Sequence, residues 1–264
     1  MGKIIAVANQ KGGVAKTTTC INLGASLVAT KRKVLIIDLD PQGNATVGSG
    51  VDKNALQLSS YHLLLGKAPA REVILHSDSA GYDIVPTNGD LTAAEVELMN
   101  MMVAREQKLR QGLAEVRDNY DFILIDCPPS LNMLTLNAMV AADSVMIPMQ
   151  CEYYALEGLS ALINTIEEIR GSVNPKLEIE GLLRTMYDPR SNLSSDVSGQ
   201  LIMHFGDKVY RTVIPRNVRL AEAPSHGLPA LHYDRTSRGA VAYLALAGEI
   251  LRRTGQAQVQ QAAV

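Results

Sequence analysis

Short runs of consecutive apolar residues recur along the chain, separated by longer segments in which apolar residues follow helical spacing. Strands buried on both faces of a parallel sheet have this unbroken apolar character, whereas strands with one wet face alternate apolar and polar residues. The runs predict strands at residues 3–8, 34–39, 82–86, 121–126, 144–149, 178–185 and 209–214. The helical spacing predicts helices at residues 17–30, about 92–118, 131–141, 155–171, 194–205 and 237–253.

This alternation of strand and helix predicts an α/β fold with a doubly wound, mostly parallel sheet flanked by helices. A length of 264 residues suits one domain of this type. We expect a single domain over residues 1–253 and a flexible tail over residues 254–264. Residues 48–80 are the least regular stretch, and short helices and loops are expected there.

The first predicted strand ends in a glycine-rich loop that leads directly into the first predicted helix. The loop reads Lys11-Gly12-Gly13-Val14-Ala15-Lys16-Thr17-Thr18. Successive backbone N–H groups of such a loop, together with the helix N-terminus, bind phosphate groups. In this pattern Lys16 reaches the β- and γ-phosphates of a nucleotide, and the Thr17 hydroxyl binds Mg²⁺. The sequence therefore predicts a P-loop nucleotide site.

Two other apolar runs end in acidic residues, which places carboxylates at the ligand-binding edge of an open α/β sheet. Asp126 fits the position that holds the magnesium shell, although an acid there can also cap the next helix. Asp40 begins a turn-rich loop over residues 41–44, which can move with the γ-phosphate as switch loops do. Asp40 is therefore a candidate to position the attacking water. The alternative for Asp40 is a loop acid that forms an Asx turn.

These motifs resemble those of the deviant Walker A ATPases, and within them the ParA/Soj branch, which partitions bacterial chromosomes and plasmids. The resemblance rests on the loop with its additional Lys11, on LIIDLDPQGN at 35–44 and on DFILIDCPPS at 121–130. PMQCEYYALEGL at 148–159, LLRTMYDPR at 182–190 and VIPRNVRLAEAPSHG at 213–227 strengthen it. The similar blocks follow one another in order over nearly the whole chain, about residues 2–253.

The resemblance implies a P-loop ATPase that binds ATP and Mg²⁺, forms a homodimer around the nucleotides and coats double-stranded DNA without sequence preference. It also implies a ParB-like partition protein that stimulates hydrolysis and releases the dimer. In such a dimer Lys11 reaches the partner subunit's phosphates, a cation supplied in trans like an arginine finger. The alternative for Lys11 is a solvated turn lysine. The implied location is the cytoplasm, in association with the nucleoid.

The resemblance also indicates residues for the adenine base. Pro215 and Asn217 border the base, with Met186 and Asp188 nearby. Proline shapes a flat apolar wall, and an asparagine amide can pair with a purine edge. A turn explains Pro215 and Asn217 nearly as well.

Charge is distributed unevenly along the chain. The net charge is −2, but residues 190–253 carry nine bases against five acids, a net +4 that leaves −6 for the rest. A basic face on an acidic body suits binding to the DNA backbone. The resemblance singles out Arg190 and Arg219 as DNA contacts. Weaker candidates are Arg216, Arg211, Lys208, Arg235 and Arg238, and any of these side chains can instead be an ordinary solvated cation.

Ala15 departs from the P-loop pattern, which has glycine before the lysine. A side chain at this position crowds the phosphates or disfavours the backbone angles that the loop requires, and a positive φ costs alanine about 1 kcal/mol. Our hypothesis is that Ala15 weakens nucleotide binding, dimer closure or hydrolysis while the fold stays intact. A nucleotide-gated DNA-binding scaffold with impaired turnover is therefore an alternative function.

Two further alternatives come from related ATPases. A MinD-like membrane ATPase needs a basic amphipathic helix at its C-terminus, and residues 254–264 contain no lysine, arginine or large aromatic residue. An ATPase with a metal–sulfur cluster needs cysteines after the switch strands, which the three cysteines here do not match. We therefore expect no membrane association and a reduced, cytoplasmic chain.

Overall fold

The computed structural model describes residues 2–153 and 155–262, and the side chains of these up to residue 255. Within them the strands are β1 (Lys3–Val7), β2 (Val34–Asp38), β3 (Leu75–Ser77), β4 (Tyr82–Val85), β5 (Phe122–Asp126), β6 (Ser144–Gln150) and β7 (Glu178–Thr185). They form one sheet in the order β3-β4-β2-β5-β1-β6-β7. Every pairing is parallel except that of the edge strand β3 with β4. The predicted mostly parallel, doubly wound α/β fold is therefore confirmed.

Helices connect and cover the strands. They are α1 (Lys16–Ala29), α2 (Asn44–Gly48), α3 (Ser60–Leu64), α4 (Ala70–Val73), α5 (Leu91–Asn100), α6 (Lys108–Leu113), α7 (Met133–Ala141), α8 (Ala155–Ser172), α9 (Asn192–Phe205), α10 (Val218–Glu222), α11 (Ala230–Tyr233) and α12 (Arg238–Ala262). Single 3₁₀ turns lie at Arg105–Gln107, Arg117–Asn119, Gly206–Lys208 and Ala223–His226. None of the described helices combines the length and apolarity needed to cross a membrane.

The unbroken apolar strands are buried on both faces, and this produces two separate cores. In β1, Ile4 and Ala6 face the core that contains α7 and α8, whereas Ile5 and Val7 face the core that contains α1 and α12. Alternate residues of a strand point to opposite faces of the sheet. A run that is apolar at every position can therefore fill both cores at once.

The strand register brings the functional segments together at one edge of the sheet. Asp38 at the end of β2 pairs with Asp126 at the end of β5, and Val7 at the end of β1 also pairs with Asp126. Parallel strands present their carboxyl ends at the same edge, where α/β folds bind ligands. The glycine-rich loop after β1 therefore emerges beside both carboxylates.

Two of the predicted elements are wrong. Residues 209–214 form no strand but only an isolated bridge between Val209 and Leu182. The backbone N–H groups of Arg211 and Thr212 donate to the Glu249 carboxylate of α12, each at 2.9 Å, so a helix side chain satisfies them instead of a sheet.

The single helix predicted at 92–118 is also wrong, because it is divided into α5, two 3₁₀ turns and α6. The division occurs at Met101–Ala104, where Ala104 takes a φ of 54°. The irregular stretch at 48–80 contains α3 and α4, as expected, and also the antiparallel edge strand β3, which was not predicted. At the C-terminus the backbone of α12 continues to Ala262. Residues 263 and 264 lie outside the described residues, and the flexible tail stays a prediction.

Candidate nucleotide-binding site

The glycine-rich loop lies between β1 and α1 and adopts a strained backbone. Gly13 has a φ of 73°, and Ala15, immediately before α1, has a φ of 70° and a ψ of 34°. This is the left-handed region, which glycine enters freely and alanine does not. The structure therefore confirms that the loop requires at Ala15 a backbone conformation that favours glycine.

Side chains from the end of β6 and from Asn9 fix the outer half of the loop. The Asn9 amide donates to the Pro148 carbonyl at 2.8 Å, and its oxygen accepts the Lys11 backbone N–H at 2.9 Å. The Gln150 amide donates to the Gly13 carbonyl at 3.1 Å. The hydrogen bonds from the end of β6 and from Asn9 therefore hold the loop in position.

A second anchor comes from the end of β7. The buried Thr185 hydroxyl donates to the Val14 carbonyl at 3.0 Å, and the Val14 side chain is itself buried. The predicted site residues did not include Asn9, Gln150 or Thr185. Their only signal in the sequence is a polar residue at or just after the end of an apolar run, and many structural residues share that signal.

Lys16 lies at the centre of the site. It is 7% exposed, and its ammonium donates to the Lys11 carbonyl at 3.0 Å, across the loop. Burial lowers the pKa of Lys16, and the carboxylates of Asp126 and Asp40 and the Cys127 thiol oppose that change. A polyphosphate bound in the loop would supply the compensating negative charge that this buried cation needs.

Two buried carboxylates lie below the loop. Asp38 accepts the Thr46 backbone N–H at 2.8 Å and the Thr46 hydroxyl at 2.7 Å. Burial nevertheless raises the pKa of Asp38 to about 6. Asp38 was not among the predicted site residues, although it ends an apolar run just as Asp126 does. Its hydrogen bonds indicate that it holds α2 and the following loop against the site.

Asp126 is fully buried, and its Oδ2 atom has no hydrogen-bond partner among the described residues. Burial first, and then the Asp38 carboxylate, hold the pKa of Asp126 well above its usual range, and the Thr17 hydroxyl opposes this rise. An unpaired buried carboxylate oxygen beside a hydroxyl is a donor set suited to a hard divalent cation. The residues present therefore fit the predicted Mg²⁺ site of Thr17 and Asp126.

Asp40 forms the Asx turn that was one of the two interpretations left open by the sequence. Its carboxylate accepts the Gln42 backbone N–H at 3.0 Å, which is an Asx turn, and its carbonyl accepts the Gly43 N–H at 2.8 Å. The same carboxylate lies close enough to act electrostatically on both Lys16 and Asp126. Asp40 is thus a turn residue at the edge of the site, and its role toward water stays a prediction.

The structure places two of the candidate adenine residues, Met186 and Pro215, near each other at the end of β7. Met186, with a φ of 48°, receives the Gln150 amide on its sulfur at 2.7 Å, so it adjoins the loop. An isolated bridge between Tyr187 and Pro215 brings the second segment alongside. Asn217 caps α10 by accepting the Leu220 N–H at 3.3 Å, which supports the turn explanation. Its amide nitrogen is not used in that cap, and its contact with adenine stays a prediction.

The two arginines singled out for DNA form ion pairs with acidic side chains. Arg190 makes a two-pronged ion pair with Asp188, with distances of 2.9 and 2.8 Å, and this pair lowers the pKa of Asp188 to about 2. Arg219 contacts Glu222 at 2.8 Å and Asp234 at 3.2 Å.

The weaker DNA candidates differ among themselves. The Lys208 ammonium donates to the Ile179 carbonyl at 3.0 Å. Four exposed arginines make no ion pair to any of the residues that the structure describes: Arg211, Arg216, Arg235 and Arg238. These exposed arginines can bind phosphate groups without first breaking an ion pair.

Comparison with known proteins identifies a matching family and several similar full-length proteins. Residues 2–179 match the family described as AAA domain. The chromosome partitioning protein ParA of Caulobacter vibrioides is 50% identical over 262 residues, which cover 98% of each chain. The chromosome-partitioning ATPase Soj of Treponema pallidum is 50% identical over 256 residues, which cover 97% of this chain and 100% of that one.

Among solved structures, a cobyrinic acid a,c-diamide synthase from Mycobacterium smegmatis with a bound ATP analogue and magnesium has a TM-score of 0.84 to this chain. The two are 38% identical, and the match covers 97% of this chain and 96% of that one. The glycine-rich loop between β1 and α1, the acids at the ends of β2 and β5 and the full-length similarity to partition proteins all agree. The chain belongs to the AAA domain family and, within it, to the ParA/Soj partitioning ATPases.

Proposed function

We propose that this chain is an ATP-dependent DNA-partitioning ATPase. It binds ATP and Mg²⁺, closes into a dimer around the nucleotides and binds duplex DNA without sequence preference. A ParB-like partner then stimulates hydrolysis and releases the dimer. The observation that carries the proposal is that Asp126 and Asp40 lie close to Lys16 of the glycine-rich loop. The same loop carries a second lysine, Lys11, whose side chain is half-exposed. The protein works in the cytoplasm, associated with the nucleoid.

The chain's own groups suffice to bind and orient the triphosphate. Backbone N–H groups of the loop and of the first turn of α1 bind the phosphate oxygens. The Lys16 ammonium leaves the Lys11 carbonyl and reaches the β- and γ-phosphates. Thr17 and Asp126 would hold Mg²⁺, which neutralises charge that develops on the phosphates. Asp40 orients the attacking water from the loop after β2.

The dimer and DNA steps follow from surface groups. The Lys11 side chain is 47% exposed, so it can reach the phosphates of a second copy placed over the loop. Closing two copies doubles the arginine-rich surface of residues 190–253, and two linked weak sites bind one DNA polymer far more tightly than either alone.

Molecular mass and duplex-DNA binding, measured with ATP and Mg²⁺, with ADP and without nucleotide, test the proposal. The chain is expected to dimerise and to bind DNA only with ATP, and Lys11→Ala is expected to bind ATP while dimerising and binding DNA much more weakly. DNA binding that ignores the nucleotide, or its absence in every state, would contradict the proposal.

A nucleotide-gated scaffold without turnover is the second candidate, and the φ of 70° at Ala15 favours it. A side chain where the phosphates approach the backbone can permit binding and still misplace the γ-phosphate. The same measurements decide between the two functions. ATP-dependent DNA binding with phosphate release supports the ATPase, and ATP-dependent DNA binding without phosphate release supports the scaffold.

A further inference from the structure

The side chain of Lys11 is not free in the single chain, because it makes an ion pair with Glu152. The Lys11 ammonium lies 2.5 Å from the Glu152 carboxylate, and the two side chains are 47% and 50% exposed. Glu152 lies in the short connection between β6 and α8. This ion pair has no part in the phosphate chemistry described above, so its function requires a separate explanation.

The backbone on both sides of this ion pair is held in place. The Glu152 N–H donates to the Gln150 carbonyl and the Glu152 carbonyl accepts the Ala155 N–H, both at 3.0 Å. The Lys11 N–H is bound by Asn9, and Gln150 ties the loop to the end of β6. The Lys11 and Glu152 side chains can therefore separate without any movement of the loop backbone.

The Lys11 ammonium cannot contact Glu152 and the phosphates of a second copy at the same time. An ammonium that pairs with a carboxylate on its own chain must leave it before it can approach the phosphates of a second copy. The cost of that release is small, because half-exposed ion pairs contribute little to stability. A weak ion pair of this kind can be broken whenever a stronger anion, such as a triphosphate on a facing copy, is presented.

From this geometry we propose that Glu152 is a positioning residue that retains Lys11 on its own subunit and so opposes dimer closure. The inference rests on the proposed function, since it assumes that Lys11 acts in trans. The new element is the Lys11–Glu152 ion pair within one subunit. This ion pair sets the concentration or the nucleotide state at which two copies close. Glu152 acts only through Lys11 in this proposal and takes no part in the hydrolysis itself.

The dimerisation constant of Glu152→Gln, measured with a non-hydrolysable ATP analogue and Mg²⁺, tests the proposal. Two Lys11 side chains must be released in each dimer, so we expect dimerisation to be about three- to tenfold tighter in this variant. Glu157→Gln removes the same charge from the first turn of α8, where the side chain is exposed, and should leave the constant unchanged. An unchanged or weakened dimer in Glu152→Gln would overturn the proposal.

The double variant separates this proposal from the proposed function. The constants in the Lys11→Ala background are measured at the higher protein concentrations at which that weakened variant still dimerises. If Glu152 acts through Lys11, then Glu152→Gln has no effect in this background, because coupled residues are not additive. An equal gain in both backgrounds means that Glu152 acts by charge alone, which overturns the retention of Lys11. If Lys11→Ala by itself leaves dimerisation unchanged, the trans role of Lys11 fails, independently of Glu152.

Discussion

At the scale of single residues, the site is built from groups that the fold holds in unfavourable states. Ala15 occupies the left-handed region, Lys16 is buried as a cation, and the Asp126 carboxylate is buried with one oxygen unpaired among the described residues. Each of these costs free energy in the empty protein. A bound nucleotide and its metal ion would relieve the last two, so the strain at this site favours ligand binding.

Ala15→Gly is expected to raise ATP affinity severalfold. The glycine removes the methyl group where phosphate approaches, and it relieves about 1 kcal/mol of backbone strain. The greater freedom of glycine in the unfolded chain offsets much of that relief, so stability should change by less than about 1 kcal/mol. Ala104→Gly is the matched control, because Ala104 has a φ of 54° and lies outside the site. ATP titration and turnover of both variants provide the check, and equal values for Ala15→Gly and the parent would refute the hypothesis.

Asp126→Asn is expected to stabilise the empty protein and to abolish the stabilisation that Mg²⁺ with nucleotide provides. Burial and Asp38 raise the pKa of Asp126, so the folded state binds this proton more tightly than the unfolded state does. Stability of the empty protein should therefore fall as the pH rises above about 4, the value for an unfolded aspartate. The raised pKa of Asp38, about 6, acts in the same direction between about pH 4 and 6.

Denaturant unfolding between pH 5 and 8, with and without Mg²⁺ and nucleotide, checks this prediction. The asparagine variant should show a smaller fall in stability with pH. The exposed Asp118→Asn should behave like the parent protein. A variant that is less stable than the parent at every pH would show that the Asp126 charge is compensated in the empty protein.

At the scale of elements, α12 packs over α1 and supports the helix that begins at the site. The Tyr243 hydroxyl of α12 and the Thr19 hydroxyl of α1 are 3.1 Å apart, and both side chains are fully buried. Tyr210 offers a contrast, because its buried hydroxyl has no partner among the described residues. The two tyrosines share burial but differ in hydrogen bonding.

Tyr243→Phe should therefore lower the free energy of unfolding by about 1 kcal/mol, since it leaves a buried hydroxyl on Thr19 without its partner. Tyr210→Phe should be neutral or stabilising, because it removes a buried polar atom that is already unpaired. Urea unfolding of the two variants measures the difference. Equal losses in both would show that the Thr19 hydrogen bond contributes nothing.

At the scale of the whole molecule, the net charge of −2 means that the proposed DNA binding depends on where individual arginines lie. Arg190 and Arg219 must break ion pairs before they can approach phosphate, whereas Arg216, Arg235 and Arg238 have no ion pair to break among the described residues. Arginines with and without an ion pair should therefore contribute differently to the affinity for DNA.

Arg216→Ala is expected to weaken binding to every DNA sequence alike. The slope of log affinity against log salt should fall by about 1, because one cation fewer neutralises a phosphate. Arg71→Ala, an exposed arginine paired with Glu115, is the control for overall charge. Salt titrations of DNA binding with an ATP analogue measure both variants. A slope that falls equally in both would mean that only net charge matters.

The sequence by itself determined the two-sided burial of the strands, the P-loop between β1 and α1 and the acids at the sheet edge. These features are local, because an apolar run or a glycine-rich turn acts on residues that are neighbours in the chain. The positions of Lys16, Thr17 and Asp126 could therefore be predicted from motifs, and the structure brings them together.

The tertiary structure alone decided how the loop is held and where the cations point. Thr185 anchors Val14 across 171 positions of the chain, and Glu152 holds Lys11 across 141. Glu249 of α12 likewise takes the N–H groups that residues 211 and 212 would have offered to a strand. Such partners carry no local pattern, because their proximity depends on the order of the strands and on the packing of distant helices.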